Sequence, residues 1–300
     1  MAEVSFENRT VIVTGAGNGL GKAYALDLGS RGAKVVVNDL GGAVDGSGSG
    51  STPADEVVNE IVANGGEAVA NYDSVATKEG GESIVQTAID NFGTVDAVVN
   101  NAGILRDKSF ANMSEEELAL IIDVHLKGAF FVSQPAFKVM KENAYGRIVN
   151  VASPSGLFGN FGQSNYGAAK MGVVGLTNVL AIEGAKYNIK VNVIAPTAYT
   201  RMTEALLPED VGKLFSAELV TPMVSYLASE ACEPSHEIFG VAAGRFARIG
   251  IITHKGYVNT SASAEDIADN IEEIRTIKDG TYPLSNEDEL VIIQQAIQGN

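Results

Sequence analysis

Tyr166 and Lys170 stand four residues apart, a spacing that puts both side chains on one face of a helix. A free phenol titrates near about 10 and stays protonated at neutral pH. A positive charge one turn away favours the phenolate and makes the side chain a usable base. Ser153 lies 13 residues upstream, at the end of an apolar run and before the stretch Pro154–Gln163, which reads as a loop. Its hydroxyl can hydrogen-bond a reacting alcohol or carbonyl oxygen and hold it against the phenol. A Tyr-x-x-x-Lys pair alone is common by chance; the case rests on what accompanies it.

The first companion is Thr14-Gly15-Ala16-Gly17-Asn18-Gly19-Leu20-Gly21, which follows a β-branched run and opens a helical pattern. Gly15, Gly19 and Gly21 allow a tight turn and close backbone approach. Asn18 and Leu20 lie where the helix begins and offers free N–H groups to a pyrophosphate. Asp39 comes 18 residues after Gly21. A carboxylate there accepts both hydroxyls of an adenosine ribose and repels a 2′-phosphate, so the expected cofactor is NAD; the bland alternative is that Asp39 starts the next turn. Asp73 and Ser74, ending a third run, are placed to reach the adenine. Asn101-Ala102-Gly103 lets backbone pass close to a cofactor, and the Asn side chain can tie loop backbone together.

Positioning these residues needs a layered sheet. The expected strands are Thr10–Thr14, Lys34–Asp39, Glu67–Tyr72, Ala97–Asn100, Arg147–Ala152 and Lys190–Ala195, with a seventh at Ile238–Ala242. Several are apolar throughout, as strands buried on both faces are. Helical patterns near Leu20–Arg31, Ala54–Asn64, Glu79–Phe92, Glu115–Glu142 and Tyr166–Lys186 separate them. The expected fold is therefore α/β: a Rossmann-like, doubly wound parallel sheet of about seven strands. It spans residues 1–244. Residues 245–300, with helical patterns at Ala264–Ile277 and Asn286–Gln298, read as a helical C-terminal extension packed on it, since about 55 residues make a marginal core alone. Gly41–Ser51 is a Gly/Ser-rich loop.

The 300 residues carry a net charge of −16, which argues against a nucleic-acid partner. No apolar run approaches the roughly 18 residues of a membrane span, and the N-terminus lacks the pattern of a signal peptide. A single cysteine, Cys232, excludes an internal disulfide and fits a reducing compartment. No metal-ligand cluster stands out.

The series T-G-x-x-x-G-x-G, N-N-A-G, Ser153 and Y-x-x-x-K resembles the short-chain dehydrogenase/reductase family over about Phe6–Gly244. The resemblance implies that Tyr166 is the acid/base, that Ser153 polarises the substrate oxygen, and that Lys170 binds the nicotinamide ribose and lowers the tyrosine pKa. Val36–Gly42, Asn71–Val75, Asn101–Asp107, Gly159–Gln163 and Arg201-Met202-Thr203 are similar to one branch. That branch is the (3R)-hydroxyacyl-CoA dehydrogenase unit of peroxisomal multifunctional enzyme type 2 and its stand-alone bacterial relatives, which includes enzymes described as 17β-hydroxysteroid dehydrogenases. Two departures from the wider family stand out. His125 replaces an Asn that supports a proton-relay water; it either orients water or is a buried structural histidine. Pro196-Thr197 replaces the usual Pro-Gly near the nicotinamide carboxamide.

The implied reaction is NAD-dependent oxidation of (3R)-3-hydroxyacyl-CoA. The rivals are a steroid alcohol, or a steroid-derived CoA ester, as substrate, and a catalytically silent NAD-binding regulator. Gly156–Gly162 and Tyr199–Pro208 leave the carboxyl ends of adjacent strands, which makes Phe158, Asn160, Phe161 and Tyr199 the expected substrate contacts. Arg106, Lys108, Arg201 and the Arg245/Arg248 pair are candidates for binding an anionic CoA, each with an ordinary surface role as its alternative. Homodimerisation, with the extension helping to cover the active site, is the family's implication. A bacterial cytoplasm is the expected home, because the chain ends Gln298-Gly299-Asn300 and not in a Ser-Lys-Leu address.

Overall fold

In the computed structural model of the chain, which describes residues 4–200 and 212–298, the apolar runs form one parallel sheet. Its strands are β1 (Thr10–Thr14), β2 (Lys34–Asn38), β3 (Glu67–Asn71), β4 (Ala97–Asn100), β5 (Gly146–Val151), β6 (Ile189–Thr197) and β7 (Ile238–Ala242). An eighth strand, β8 (Arg245–Ile249), exceeds the expected seven. The sheet order is β3-β2-β1-β4-β5-β6-β7-β8, with parallel pairing from β3 to β7. Ala243 and Gly244, both at positive φ, are the whole link between β7 and β8. Two such residues make the tight turn of a hairpin, so the sheet gains a strand at its edge.

Successive residues serve opposite layers. Val11 and Val13 join one apolar cluster with Tyr24, Leu28, Val57, Ile61 and Leu227; Ile12 joins the other with Ile84, Val132, Met140 and Ile148. Val35 and Val37 alternate with Val36 in the same way. The first layer is built from helices α1 (Gly19–Ser30) and α2 (Thr52–Ala63), the second from α3 (Lys78–Phe92) and α5 (Gly128–Glu142). Period-2 alternation with both faces apolar makes near-continuous Val/Ile runs necessary. Each fully buried side chain of this size contributes about 1.5–3 kcal/mol.

Four expected elements change shape. The Glu115–Glu142 helix divides into α4 (Glu115–Ile122) and α5, joined by a π-helical stretch over Asp123–Lys127. The loop Pro154–Gln163 contains a short helix, α6 (Pro154–Phe158), whose proline occupies the first turn, where its missing N–H costs nothing. Helix α7 (Ser164–Gly184) begins two residues before Tyr166. β2 stops at Asn38, so Asp39 lies just beyond the strand. Helix α8 (Thr221–Ala228) follows the second described stretch's start.

The chain divides into compact units at Arg248/Ile249, four residues beyond the expected boundary, because β8 belongs to the sheet. In the second unit, Thr253 and Thr281 exchange two backbone hydrogen bonds. The expected Ala264–Ile277 helix breaks at Asn270 into α9 (Ala264–Asp269), with a Ser263/Asp266 capping box, and α10 (Ile271–Ile274); α11 spans Asn286–Gln298. No described helix is long and apolar enough to cross a membrane.

Candidate active site

The strand order reverses direction between β1 and β4, and a crevice opens beyond their carboxyl ends, the usual ligand position in such sheets. Gly15 turns at φ +63°, and a Cβ there would stand 2.7 Å from the Ala102 Cα; one on Gly21 would stand 2.0 Å from the Gly15 carbonyl oxygen. Only glycine fits at either place. Asn101 locks the two loops together. Its amide donates to the carbonyls of Thr14 and Gly15 at 3.0 and 3.1 Å, and the Thr14 hydroxyl accepts from the backbone N–H of Asn101 and of Ala102.

Helix α1 starts at this loop with no side-chain cap from Asn18 and no acid in its first turn. Its leading N–H groups and positive dipole end are therefore open to an anion. The Asp39 carboxylate accepts from Gly17 N–H with one oxygen and from Gly41 N–H with the other, each at 2.7 Å. It thus fastens the glycine loop and also starts the next turn. Asp73 accepts from the Ser83 hydroxyl and the Asn71 amide. Gly15, Asn18, Gly19, Leu20, Gly21, Asp39, Asp73, Ser74, Asn101, Ala102 and Gly103 all line a single cleft. Its small-residue cradle, uncapped helix start and strand-end carboxylate fit a dinucleotide. Pro196 is not on that lining; it lies in β6, paired with Val241.

Ser153 ends the fifth-strand segment and caps α6, its hydroxyl accepting from Ser155 N–H at 3.2 Å. Gly156 brings α6 against α7: a Cβ there would stand 2.7 Å from the Lys170 Cβ. Tyr166, in the first turn of α7, is fixed by buried Asn165, whose side-chain oxygen accepts from Tyr166 N–H at 2.7 Å. The Asn165 amide donates to the carbonyls of Arg106 and Glu117. Lys170 Nζ lies 5.6 Å from the Tyr166 ring centroid and donates to the Val151 carbonyl at 2.6 Å. The three expected catalytic side chains therefore converge.

Their electrostatics differ from the expectation in one respect. Burial pushes the Tyr166 phenol above its ordinary value, opposed by the nearby Ser153 hydroxyl. In the protein alone, desolvation dominates and the Asp107 charge adds to the rise, so the expected lowering by Lys170 is not what sets the direction. The same burial brings the Lys170 ammonium down to about 7, because a low-dielectric interior disfavours both charged forms.

His125 sits on the π-helical stretch and is buried. Its Nε2 is 2.8 Å from the Ile104 carbonyl oxygen and 3.1 Å from the Ile104 nitrogen, while Nδ1 is buried without a partner. The ring meets Tyr166 edge-on, centroids 5.0 Å apart. Burial first, then the Lys170 charge, holds its pKa well below the ordinary value. The histidine thus stays neutral at physiological pH, bonds backbone and buttresses the tyrosine. π-Helical insertions of this kind recur at functional sites.

The expected substrate contacts do not converge. Phe158 and Phe161 are 72% and 92% exposed, and Asn160 hydrogen-bonds Gln163. Tyr199 lies against Gly212 and lines a separate groove with Lys22. Lys108 N–H donates to the Gly162 carbonyl, Arg245 and Arg248 lie in β8, and Arg201 lies outside the described residues, as does the Gly299-Asn300 end. Sequence reasoning missed Asn165, and it missed Gly42, Ala43, Val44 and Gly46, which line the cleft. The available signals were the Asn directly before the tyrosine and a loop insertion directly after Asp39. Among the described residues no group of three His, Cys, Asp or Glu could hold a metal ion.

The family pattern described as short chain dehydrogenase matches residues 9–210. The chain is 58% identical over 246 residues to the peroxisomal hydratase-dehydrogenase-epimerase of Saccharomyces cerevisiae, covering 82% of this chain and 27% of that protein. It is 51% identical over 269 residues to a short-chain type dehydrogenase/reductase of Mycobacterium tuberculosis, covering 89% of this chain and 94% of that one. The full-length peroxisomal multifunctional enzyme type 2 of Drosophila melanogaster superposes with a TM-score of 0.83 at 37% identity, over 98% of this chain and 50% of that structure. The chain therefore spans about a quarter to two thirds of the multifunctional relatives it matches and nearly the whole of the mycobacterial one.

Proposed function

Because the chain belongs to the short chain dehydrogenase family, we propose that it oxidises (3R)-3-hydroxyacyl-CoA to 3-oxoacyl-CoA with NAD. The observation that carries this reading is the adjacency of the Ser153–Tyr166–Lys170 cluster to the cleft bounded by Asp39: His125 meets the Tyr166 ring edge-on and packs against Gly103, which lines that cleft. When bound, the nicotinamide ring supplies the hydride acceptor. Tyr166, ionised, takes the proton of the substrate hydroxyl; Ser153 donates to the same oxygen and orients it. Lys170, held on the Val151 carbonyl, stabilises the phenolate electrostatically and reaches the ribose hydroxyls. His125 keeps the tyrosine ring in place while remaining uncharged. Asp39 accepts the adenosine ribose hydroxyls, and its charge disfavours a 2′-phosphate. A homodimer is part of the same proposal.

The test follows NADH formation by absorbance with matched (3R)- and (3S)-3-hydroxyacyl-CoA, and with Tyr166→Phe as control. The expected outcome is turnover of the R isomer alone, reduced about 10²–10⁴-fold in the variant, the usual worth of a positioned acid/base. Turnover of the S isomer alone, or of neither, would sink the proposal; the second result makes steroid alcohols the next substrates to assay.

A further inference from the structure

Residues 41–50 form a compact loop with a narrow neck. Gly50 N–H donates to the Leu40 carbonyl at 2.9 Å, and Gly41 turns at φ +74° so close to the Gly50 carbonyl that a Cβ would overlap it. Within the loop, Ala43 N–H bonds the Ser47 carbonyl and Gly46 N–H the Ala43 carbonyl. Such closed-neck loops are compact, hold their own shape and are frequently functional. The loop adds a wall to the cleft through Gly42, Ala43, Val44 and Gly46.

Its far end is anchored on the segment that follows β4. Gly46 lies over Ile104 and Leu120, with a Cβ at 46 falling 2.9 Å from the Ile104 Cδ1. Leu105 N–H donates to the Val44 carbonyl at 3.0 Å, and the Arg106 guanidinium donates through Nε to the Asp45 carbonyl at 2.7 Å. The anchoring segment is itself rigid: Ile104 is held by His125 and the Arg106 carbonyl by buried Asn165. A self-contained loop thus walls the cleft, its tip held by one backbone hydrogen bond, from Leu105, and one side-chain hydrogen bond, from Arg106.

We infer that residues 41–50 are a strap over the bound dinucleotide and that Arg106 is its latch, a positioning residue that sets how long the cofactor stays. This rests on the dinucleotide reading of the cleft. The neck is bonded to Leu40 and Asp39, next to the groups that meet the adenosine, so the strap opens at its tip. Arg106 is then engaged with the strap and does not serve as a free cation for an anionic substrate. A charge-assisted hydrogen bond of this geometry, lost from the closed form alone, raises the opening equilibrium on the order of tenfold.

The test is the dissociation rate of NADH from the full chain, followed by the fluorescence of bound NADH on mixing with excess NAD, for wild type, Arg106→Ala and Arg106→Lys. Thermal unfolding midpoints verify that the variants fold. Both variants are expected to release NADH about tenfold faster, with association changed by less than about twofold, because lysine keeps the charge and lacks the Nε donor. A nonspecific protease is expected to cut within residues 41–50 more slowly when NADH is present, and faster in Arg106→Ala. Unchanged release in both variants, or faster release in the alanine variant alone, would overturn the latch, the latter assigning Arg106 a charge effect only. Failure of wild type to bind NADH at all would instead overturn the dinucleotide reading, and the latch with it.

Discussion

The two ends of the same strands treat buried cations in opposite ways. At the amino ends, Arg147 is buried and donates to the carbonyls of Gly146, Asn188, Ser229 and Glu230. Tyr145 is stacked between Arg147 and Arg9, whose guanidinium pairs with Asp96, and Asp96 also accepts from Thr10 N–H. At the carboxyl ends, Lys170 is equally enclosed but has one carbonyl acceptor, and its pKa falls to about 7. His125 beside it has an unpartnered buried nitrogen. A closed polar network specifies structure; an open one holds groups whose protonation is easily moved. The amino end is built to stay as it is, and the carboxyl end to react.

That contrast breaks if the amino end proves dispensable. Arg147→Ala removes four hydrogen bonds to backbone carbonyls, two of them fully buried, and is expected to cost about 3–5 kcal/mol of stability, read by chemical denaturation, with turnover per folded molecule unchanged. A loss below about 1 kcal/mol would dissolve the distinction between the two ends.

A pH-dependent effect of comparable size sharpens it at the other end. Lys170 titrates near 7 in the folded protein and near 10.5 when unfolded. Between those values the unfolded chain holds more protons, so wild-type stability rises with pH; below about 7 the full cost of the buried charge is present. Lys170→Met abolishes that titration. Its unfolding midpoint relative to wild type is expected to be highest at pH 6–7 and to decline towards pH 10, while turnover is lost. A pH-independent difference would mean that the lysine is as well satisfied as Arg147.

The least effect belongs to His125. Its folded pKa lies well below the ordinary value, so the unfolded state takes up a proton first as pH falls below about 6.5. The resulting loss of stability, at most about 1.4 kcal/mol per pH unit, is expected to be absent in His125→Gln. Midpoints measured at neutral pH and near pH 5 would check it, and an identical acid loss in both proteins would remove His125 from the account.

Much of this was legible because buried parallel strands leave little choice of residue. The runs at Thr10–Thr14 and Ala97–Asn100 match the observed strands end to end, and the glycine loop follows from backbone geometry alone. Other features depend on partners distant in sequence. β8 reads as polar because one side of it is exposed, and a two-residue turn gave little warning of it. The strap has no periodicity; Ile104 and Leu120 decide where it lies. Phe158 and Phe161 sit at the predicted place in the chain, yet exposure there is a matter of tertiary geometry. The rise in the Tyr166 pKa follows from burial, which spacing alone cannot weigh.

β8 has a consequence for how the molecule behaves in a crowd. A sheet whose last strand presents free N–H and C=O groups is a template for recruiting further chains. Here that strand reads Arg-Phe-Ala-Arg-Ile, and the side chains of Arg245 and Arg248 are exposed along it. Any strand docking alongside would meet these two side chains, Arg248 being paired with Glu237 at 3.6 Å. Charged side chains along a last strand are one of the devices by which sheets discourage such growth.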